Sequence, residues 1–448
     1  MAHIVIIGNG VSGVTCARHI RKRSEDRVTI ISAESKFFFS RTALMYVYMG
    51  HMRFEDIQPY EPWFWEKNNI ELQQAYVREV DFETKVLRLS SGGEVNYDKL
   101  VLAVGSKPNR FGWKGQEYAG VQGLYSKQDL ELLESNTDPY GEEQRVKRAV
   151  IVGGGLIGIE LAEMLLTRGI AVTFLVRENL FWGNVLPKGE SELVMKHMAE
   201  HHVDLRLQTE LDEIFADKDG RVRAIKTSGG ETIDCQLVGL TAGVSPNIDF
   251  LRDSNLEVDR GILVDRKMET NIPDVYAIGD CAQFKQAVSG RRPIEQVWYT
   301  GRMMGETLAR TLTGEPTEYQ PGHWFNSAKF FDIEYQTYGW VYPNPREGEK
   351  HFYWEHPDGK KCIRINYLEE SGKFIGINSF GIRLRHDVFD RWLTEGRSVD
   401  YVISHMRDAN FDPEFYRGFE SELRAFYEHE VGRKVHLKKK DLQRIFGL

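Results

Sequence analysis

Two glycine clusters, Gly8-Asn9-Gly10-Val11-Ser12-Gly13 and Gly153-Gly154-Gly155-Leu156-Ile157-Gly158, each follow a β-branched apolar run and precede a helix-like stretch. The order strand, tight turn, helix constrains the fold more than any other feature of the chain. In such a turn the first glycine permits the bend, the second lets the backbone approach a pyrophosphate, and the third lets helix and strand pack closely. The phosphates then sit at the positive end of the helix. Gly8, Gly10, Val11, Ser12 and Gly13 are therefore candidate contacts for one dinucleotide, and Gly153, Gly155, Leu156, Ile157 and Gly158 for a second. Two dinucleotides on one chain imply electron transfer between them. The competing reading of each cluster is a structural βα turn without a nucleotide.

The residues downstream of each cluster refine the ligand. About twenty residues beyond Gly13, the strand-like run 28–32 ends near Glu34, whose carboxylate can accept hydrogen bonds from both hydroxyls of an adenosine ribose. That suits FAD or NAD rather than a 2'-phosphate. The second unit ends its strand with Arg177 and Glu178. Arg177 suits a 2'-phosphate and Glu178 a free diol, so NADH and NADPH both stay open.

Composition excludes several classes. The 448 residues suffice for about three domains. The net charge of -8 offers no whole-molecule attraction to nucleic acid or anionic lipid. A mean hydropathy of -0.43 and the lack of a long apolar run argue against a membrane span. Met1 leads almost directly into an apolar strand, so no signal peptide is expected and the expected compartment is the cytoplasm.

Three further segments occur in order: Leu102-Ala103-Val104-Gly105-Ser106 with Pro108, Thr241-Ala242-Gly243-Val244-Ser245-Pro246-Asn247, and Thr270 through Asp280, which ends Tyr276-Ala277-Ile278-Gly279-Asp280. Over residues 3–325 the chain thus resembles the two-dinucleotide-binding-domain flavoproteins of the pyridine nucleotide-disulfide oxidoreductase superfamily. The resemblance implies an α/β fold with two Rossmann-like domains and a C-terminal α+β domain. Residues 1–115 and 246–325 would bind FAD, 116–245 NAD(P)H, and 326–448 would form an interface or acceptor domain. It gives Asp280 to the ribityl chain, Arg41 to the FAD pyrophosphate, and Val77, Ala103, Gly105, Gly243 and Gln296 to the cofactor sites. Glu160 would lie beside the nicotinamide and flavin, and Trp298 would stack on one of these rings. The bland readings are a solvated helix-terminal carboxylate for Glu160 and a buried anchor for Trp298.

Cysteines decide the branch. Cys16, Cys235, Cys281 and Cys362 are far apart, with no C-x-x-C or C-x4-C pair, and no Cys stands in 39–46, where thiol-using branches carry one. The Ser40-Arg41 pair there resembles the rubredoxin and ferredoxin reductases and apoptosis-inducing-factor-like proteins. The implied activity is hydride transfer from NAD(P)H to flavin, then electrons to a ferredoxin or rubredoxin-like carrier. Rival readings are a quinone reductase anchored through 422–448, an oxidase, and a redox-sensing interaction protein with slow turnover.

Remaining clusters take plainer readings. His197 and His201 stand four apart, a spacing that suits a metal, yet a solvated helix face is the expectation and no metal site is assigned. Cys281 reads as a small packing residue. From Trp324 onward, aromatic alternating runs predict an antiparallel sheet followed by helices at 387–393 and 413–431. This C-terminal domain is expected to govern self-association or the acceptor, with the basic end 433–440 steering an acidic carrier.

Overall fold

The run Ile4 to Ile7 is apolar at every position, as a strand covered on both faces must be. In the computed structural model it becomes the centre of a parallel sheet ordered Val275–Ala277, Lys99–Leu102, His3–Ile7, Arg27–Ser32 and Ile70–Gln74. The structure describes residues 1–138, 146–288, 290–411 and 417–435. Residues 135–148, whose turn formers and charges predict a linker between domains, and the basic end 433–440 therefore lie partly outside the described residues, as does the start of the helix predicted at 413–431. Among those described, no helix is long and apolar enough to cross a membrane.

Two compact units emerge, Met1–Leu175 with Thr209–Pro321, and Val176–Gln208 with Gly322–Leu448. The first holds both glycine clusters. Its second parallel sheet runs Ala171–Val176, Arg148–Val152, Leu237–Leu240 and Val121–Gln122, the last residue of Ala171–Val176 opening the second unit. Two of the three further segments pair with each other, Ser106–Pro108 running antiparallel to Val244–Pro246. The chain thus leaves one sheet and re-enters it through neighbouring strands. The helix Trp298–Leu312 packs on Val11–Arg21 through glycines: a Cβ on Gly301 would lie 2.5 Å from Ser12 Oγ, and one on Gly305 2.5 Å from the Ser12 carbonyl oxygen. Only glycine allows backbones that close.

The second unit contains the predicted antiparallel sheet, ordered Phe325–Phe330, Ile333–Gly339, Phe374–Phe380, Cys362–Leu368 and Glu349–Glu355. Alternation sorts its residues. Ile363 and Ile365 face a core shared with Val388, Phe389 and Trp392 of the helix His386–Thr394. Arg364, one residue out of phase, faces the other way and donates from Nε to Oε1 of Glu190 at 2.7 Å. Glu190 is fully buried on the helix Lys188–Glu200 and also accepts from Asn378 at 3.3 Å.

Candidate functional site

The first turn is built by exclusion. Gly8 has φ +113°, and a Cβ there would stand 2.1 Å from the Ala103 carbonyl oxygen. Gly13 is equally constrained, its Cβ position being 2.1 Å from the Gly8 carbonyl oxygen. Gly10 is different: nothing lies within 4 Å of its Cβ position, and it is the N-cap of Val11–Arg21. No side chain caps that helix and no acid stands in its first turn. The second cluster repeats the design, with Gly153 at φ +114° against Thr241 and Gly155 an open N-cap for Leu156–Thr167, again without a side-chain cap. Helix N-termini usually satisfy their amides with Ser, Thr, Asp or Asn. Two left bare, with space before each, fit phosphate oxygens. Buried Asn9 steadies the first turn, donating to the Ser35 carbonyl at 2.8 Å and accepting from Ser32 Oγ at 2.9 Å.

A continuous polar chain lies in the same unit. Gln296 Nε2 donates to Ser106 Oγ at 2.7 Å, and Ser106 Oγ donates to Asp280 Oδ2 at 3.0 Å. The Ser106 amide donates to the Tyr125 hydroxyl at 3.0 Å, and the Arg41 guanidinium lies 4.4 Å over the Tyr125 ring. Burial pushes the Asp280 carboxyl up from its ordinary range, opposed by the Ser106 bond and the charge of Arg41. These residues present one carboxylate and an amide in a half-buried, oriented setting, which fits the hydroxyls of a ribityl chain and the polar edge of a flavin.

Glu34 and Arg41, given separate roles from the sequence, are paired in the structure. Arg41 donates from Nη1 to Oε1 of Glu34 at 2.9 Å and from Nη2 to Oε2, and the Lys127 amide donates to Oε1 at 2.9 Å. A carboxylate has about four acceptor positions, so room remains for a ribose hydroxyl. Val77 is committed to the hydrophobic core by its side chain. Gly243 has φ +87° beside Asn109. Arg177 donates from Nε to Glu178 at 2.9 Å, and both belong to the second unit.

Glu160 sits on the helix Leu156–Thr167, where burial, with Glu163 adding repulsion, pushes its carboxyl up to about 7. The folded chain then keeps a proton that the unfolded chain gives up near 4.5. Stability attributable to this proton is present below about pH 4.5 and is lost as pH rises toward 7. Glu160→Gln will therefore match wild type in acid and exceed it above pH 7 by at most about 3 kcal/mol, measured as urea midpoints of flavin-free protein across pH. Equal midpoints at all pH values would refute the shift. Trp298, the first residue of Trp298–Leu312, is 37% exposed, so it is not a buried anchor; it meets Tyr299 edge-on at 5.4 Å.

All four cysteines are free and buried. Burial raises every thiol, Cys281 and Cys235 to about 12, which leaves no thiolate at neutral pH. Cys281 donates weakly to the carbonyls of Leu102 and Ile278, the contacts of a packing residue. Replacing all four with alanine will cost about 4 kcal/mol of stability, roughly 1 kcal/mol per buried side chain, and leave NAD(P)H-driven dye reduction by the folded protein close to wild type. A collapse of the rate in a folded, yellow variant would contradict it.

Sequence reading passed over Tyr125 and the packing pair Gly301 and Gly305. The glycines carried a signal in their spacing of four, which on a helix marks close packing. Tyr125 carried none, because it meets Ser106 and Arg41 only after the strands assemble.

The profile of the pyridine nucleotide-disulphide oxidoreductase family matches residues 2–305. A rubredoxin-NAD(+) reductase of Acinetobacter baylyi is 31% identical over 327 residues, which cover 71% of this chain and 80% of that protein. An NADH oxidase of Methanocaldococcus jannaschii is 29% identical over 341 residues, 74% of each chain. The solved ferredoxin reductase for the CYP199A2 system of Rhodopseudomonas palustris shares the fold, with a TM-score of 0.77 at 24% identity over 85% of this chain and 91% of that one. With bare glycine-capped helices, a half-buried Asp280 held by Ser106 and this match across most of its length, the chain belongs to the pyridine nucleotide-disulphide oxidoreductase family and is an oxidoreductase using FAD and NAD(P)H.

Proposed function

We propose that the chain moves a hydride from NAD(P)H to FAD and passes the electrons on to a small acidic iron-sulfur protein of the ferredoxin or rubredoxin kind. The observation that carries this reading is the linked set Gln296, Ser106, Asp280, Arg41 and Glu34, in one unit with two bare helix N-termini and no ionised thiol. FAD, when bound, supplies a centre that accepts two electrons together and releases them singly. Asp280 and Ser106 hold the ribityl hydroxyls, Glu34 the adenosine diol, and the amides after Gly10 and Gly155 the two pyrophosphates. Gln296 orients the flavin's polar edge, Trp298 covers the nicotinamide against water, and Glu160 holds a proton beside it. In this reading 1–115 with 246–325 bind FAD, 116–245 bind NAD(P)H, and 326–448 provide contact surface. Four unpaired thiols suit the cytoplasm.

The acidic character of the carrier is supported by a cleft of about 680 Å³ that is lined by Gln296 and collects Lys107, Arg252, Arg260 and Arg292 against one carboxylate, Asp249. Such a surface raises the encounter rate with an acidic protein at low salt. The test is anaerobic bleaching of the flavin by NADH and by NADPH, then reoxidation by ferredoxin, rubredoxin, quinone and oxygen in parallel. Arg252→Glu with Arg260→Glu will slow reoxidation by the acidic carrier at low salt and leave bleaching unchanged. Fast reoxidation by oxygen or quinone alone would reject the proposal.

A further inference from the structure

On the second unit the helix Lys188–Glu200, extended by its C-cap His201, meets the turn between strands Phe325–Phe330 and Ile333–Gly339. The expected solvated face does not exist at His197, which is 1% exposed. Its Nε2 is bonded to Oδ1 of Asp332, the turn residue, and His201 Nε2 reaches the same oxygen at 3.3 Å. The three ligand atoms of His197, His201 and Asp332 all lie within 4.8 Å of one another. The His201 ring stacks flat on Phe331 at 4.3 Å, and the His197 ring stands edge-on to His201 at 4.6 Å. Both imidazoles are thereby held in orientation.

On the other side of the ring, His197 Nδ1 is 3.3 Å from the Glu200 carboxylate. With a metal ion at Nε2, a neutral imidazole would donate from Nδ1 to Glu200. That arrangement, carboxylate to imidazole to metal, is how metal-bound histidines are commonly oriented. Lys360 Nζ lies 3.5 Å from Oδ2 of Asp332 and leaves Oδ1 as the ligand atom.

We propose that His197, His201 and Asp332 bind one divalent transition-metal ion of the zinc class, with water completing a tetrahedral set and Glu200 as positioning residue. Ligand atoms of such a set stand about 3.3 Å apart, a spacing that His201 and Asp332 already have. The contact of His197 with Asp332 must lengthen on binding, and the exposed Asp332 side chain can swing to allow it. No electron passes through the ion; it ties the helix to the turn within the unit. The two nitrogen and one oxygen donors favour zinc, cobalt or nickel over magnesium or calcium.

The test uses tag-free, flavin-loaded full-length protein titrated with cobalt(II). Expected is one saturable equivalent per chain, with visible absorption of tetrahedral intensity that zinc displaces. His201 and Asp332 have side chains 39% and 59% exposed, so His201→Gln and Asp332→Asn should fold, with flavin content and NAD(P)H bleaching as controls. Each variant should lose the cobalt absorption, and Glu200→Gln should weaken binding about tenfold. No saturable cobalt signal in wild type, or the same affinity in Asp332→Asn, would overturn the site and leave a plain hydrogen-bonded cluster.

Discussion

Gly8→Ala will not accumulate as a stable flavoprotein, whereas Gly10→Ala will fold and bind FAD weakly. The two positions lie two residues apart in one motif, and the difference is steric. A methyl at Gly8 would stand 2.1 Å from the Ala103 carbonyl oxygen, on a backbone with φ +113°. Relieving that contact means moving the strand Lys99–Leu102 off His3–Ile7 by about 1 Å, which breaks a parallel ladder at its centre. The expected loss exceeds about 4 kcal/mol, much of a domain's whole stability, and shows as a fall in Tm of roughly ten degrees or more, or as insolubility. Gly10 has φ -68° and open space, so a methyl there strains nothing within the protein. It would occupy the room through which a pyrophosphate approaches the helix amides. Thermal unfolding with and without added FAD separates the two outcomes. Equal stability of Gly8→Ala and wild type would contradict the packing described.

Asp280→Ala will purify with little or no flavin and regain it only at high FAD. The side chain is fixed by Ser106 and lies in a desolvated place, where a hydrogen bond from a hydroxyl to a carboxylate is strong. Two such bonds lost amount to about 3 kcal/mol, or roughly a hundredfold in FAD affinity. Asp280→Asn keeps one acceptor oxygen and should fall between. Fluorescence quenching of FAD by flavin-free protein reads all three affinities. An unchanged affinity in Asp280→Ala would remove this residue from the site.

The parts legible in the sequence are those whose geometry is local. Strand, turn and helix at 4–21 and 148–167 follow from contiguous residues, and so does the sheet alternation at Ile363, Arg364 and Ile365. Asp280 was legible because the contiguous segment Thr270 to Asp280 resembles the one that closes the flavin site in the family. Pairings between segments were not. Glu34 and Arg41 are seven apart, and nothing in their spacing says that the intervening bend turns one onto the other. His197 looked solvated because its cover, Asp332, lies 135 residues later in the chain. An exposed helix face and a face awaiting a distant partner have the same composition.

The bond between Glu190 and Arg364 links residues 174 apart, and it gives the protein a schedule as well as a shape. A ribosome adding about 5–20 residues per second delivers Arg364 on the order of ten to thirty seconds after Glu190. During that interval the nascent chain carries a helix whose intended cover has not been made, while the strands before it can already pair. A carboxylate destined for burial then stays in water until the last quarter of synthesis, which delays commitment of this segment rather than trapping it early. Ending translation before Arg364 would leave that helix without its counter-ion, so termination anywhere between Glu190 and Arg364 should mark the whole product for aggregation or proteolysis rather than yield a shorter working enzyme.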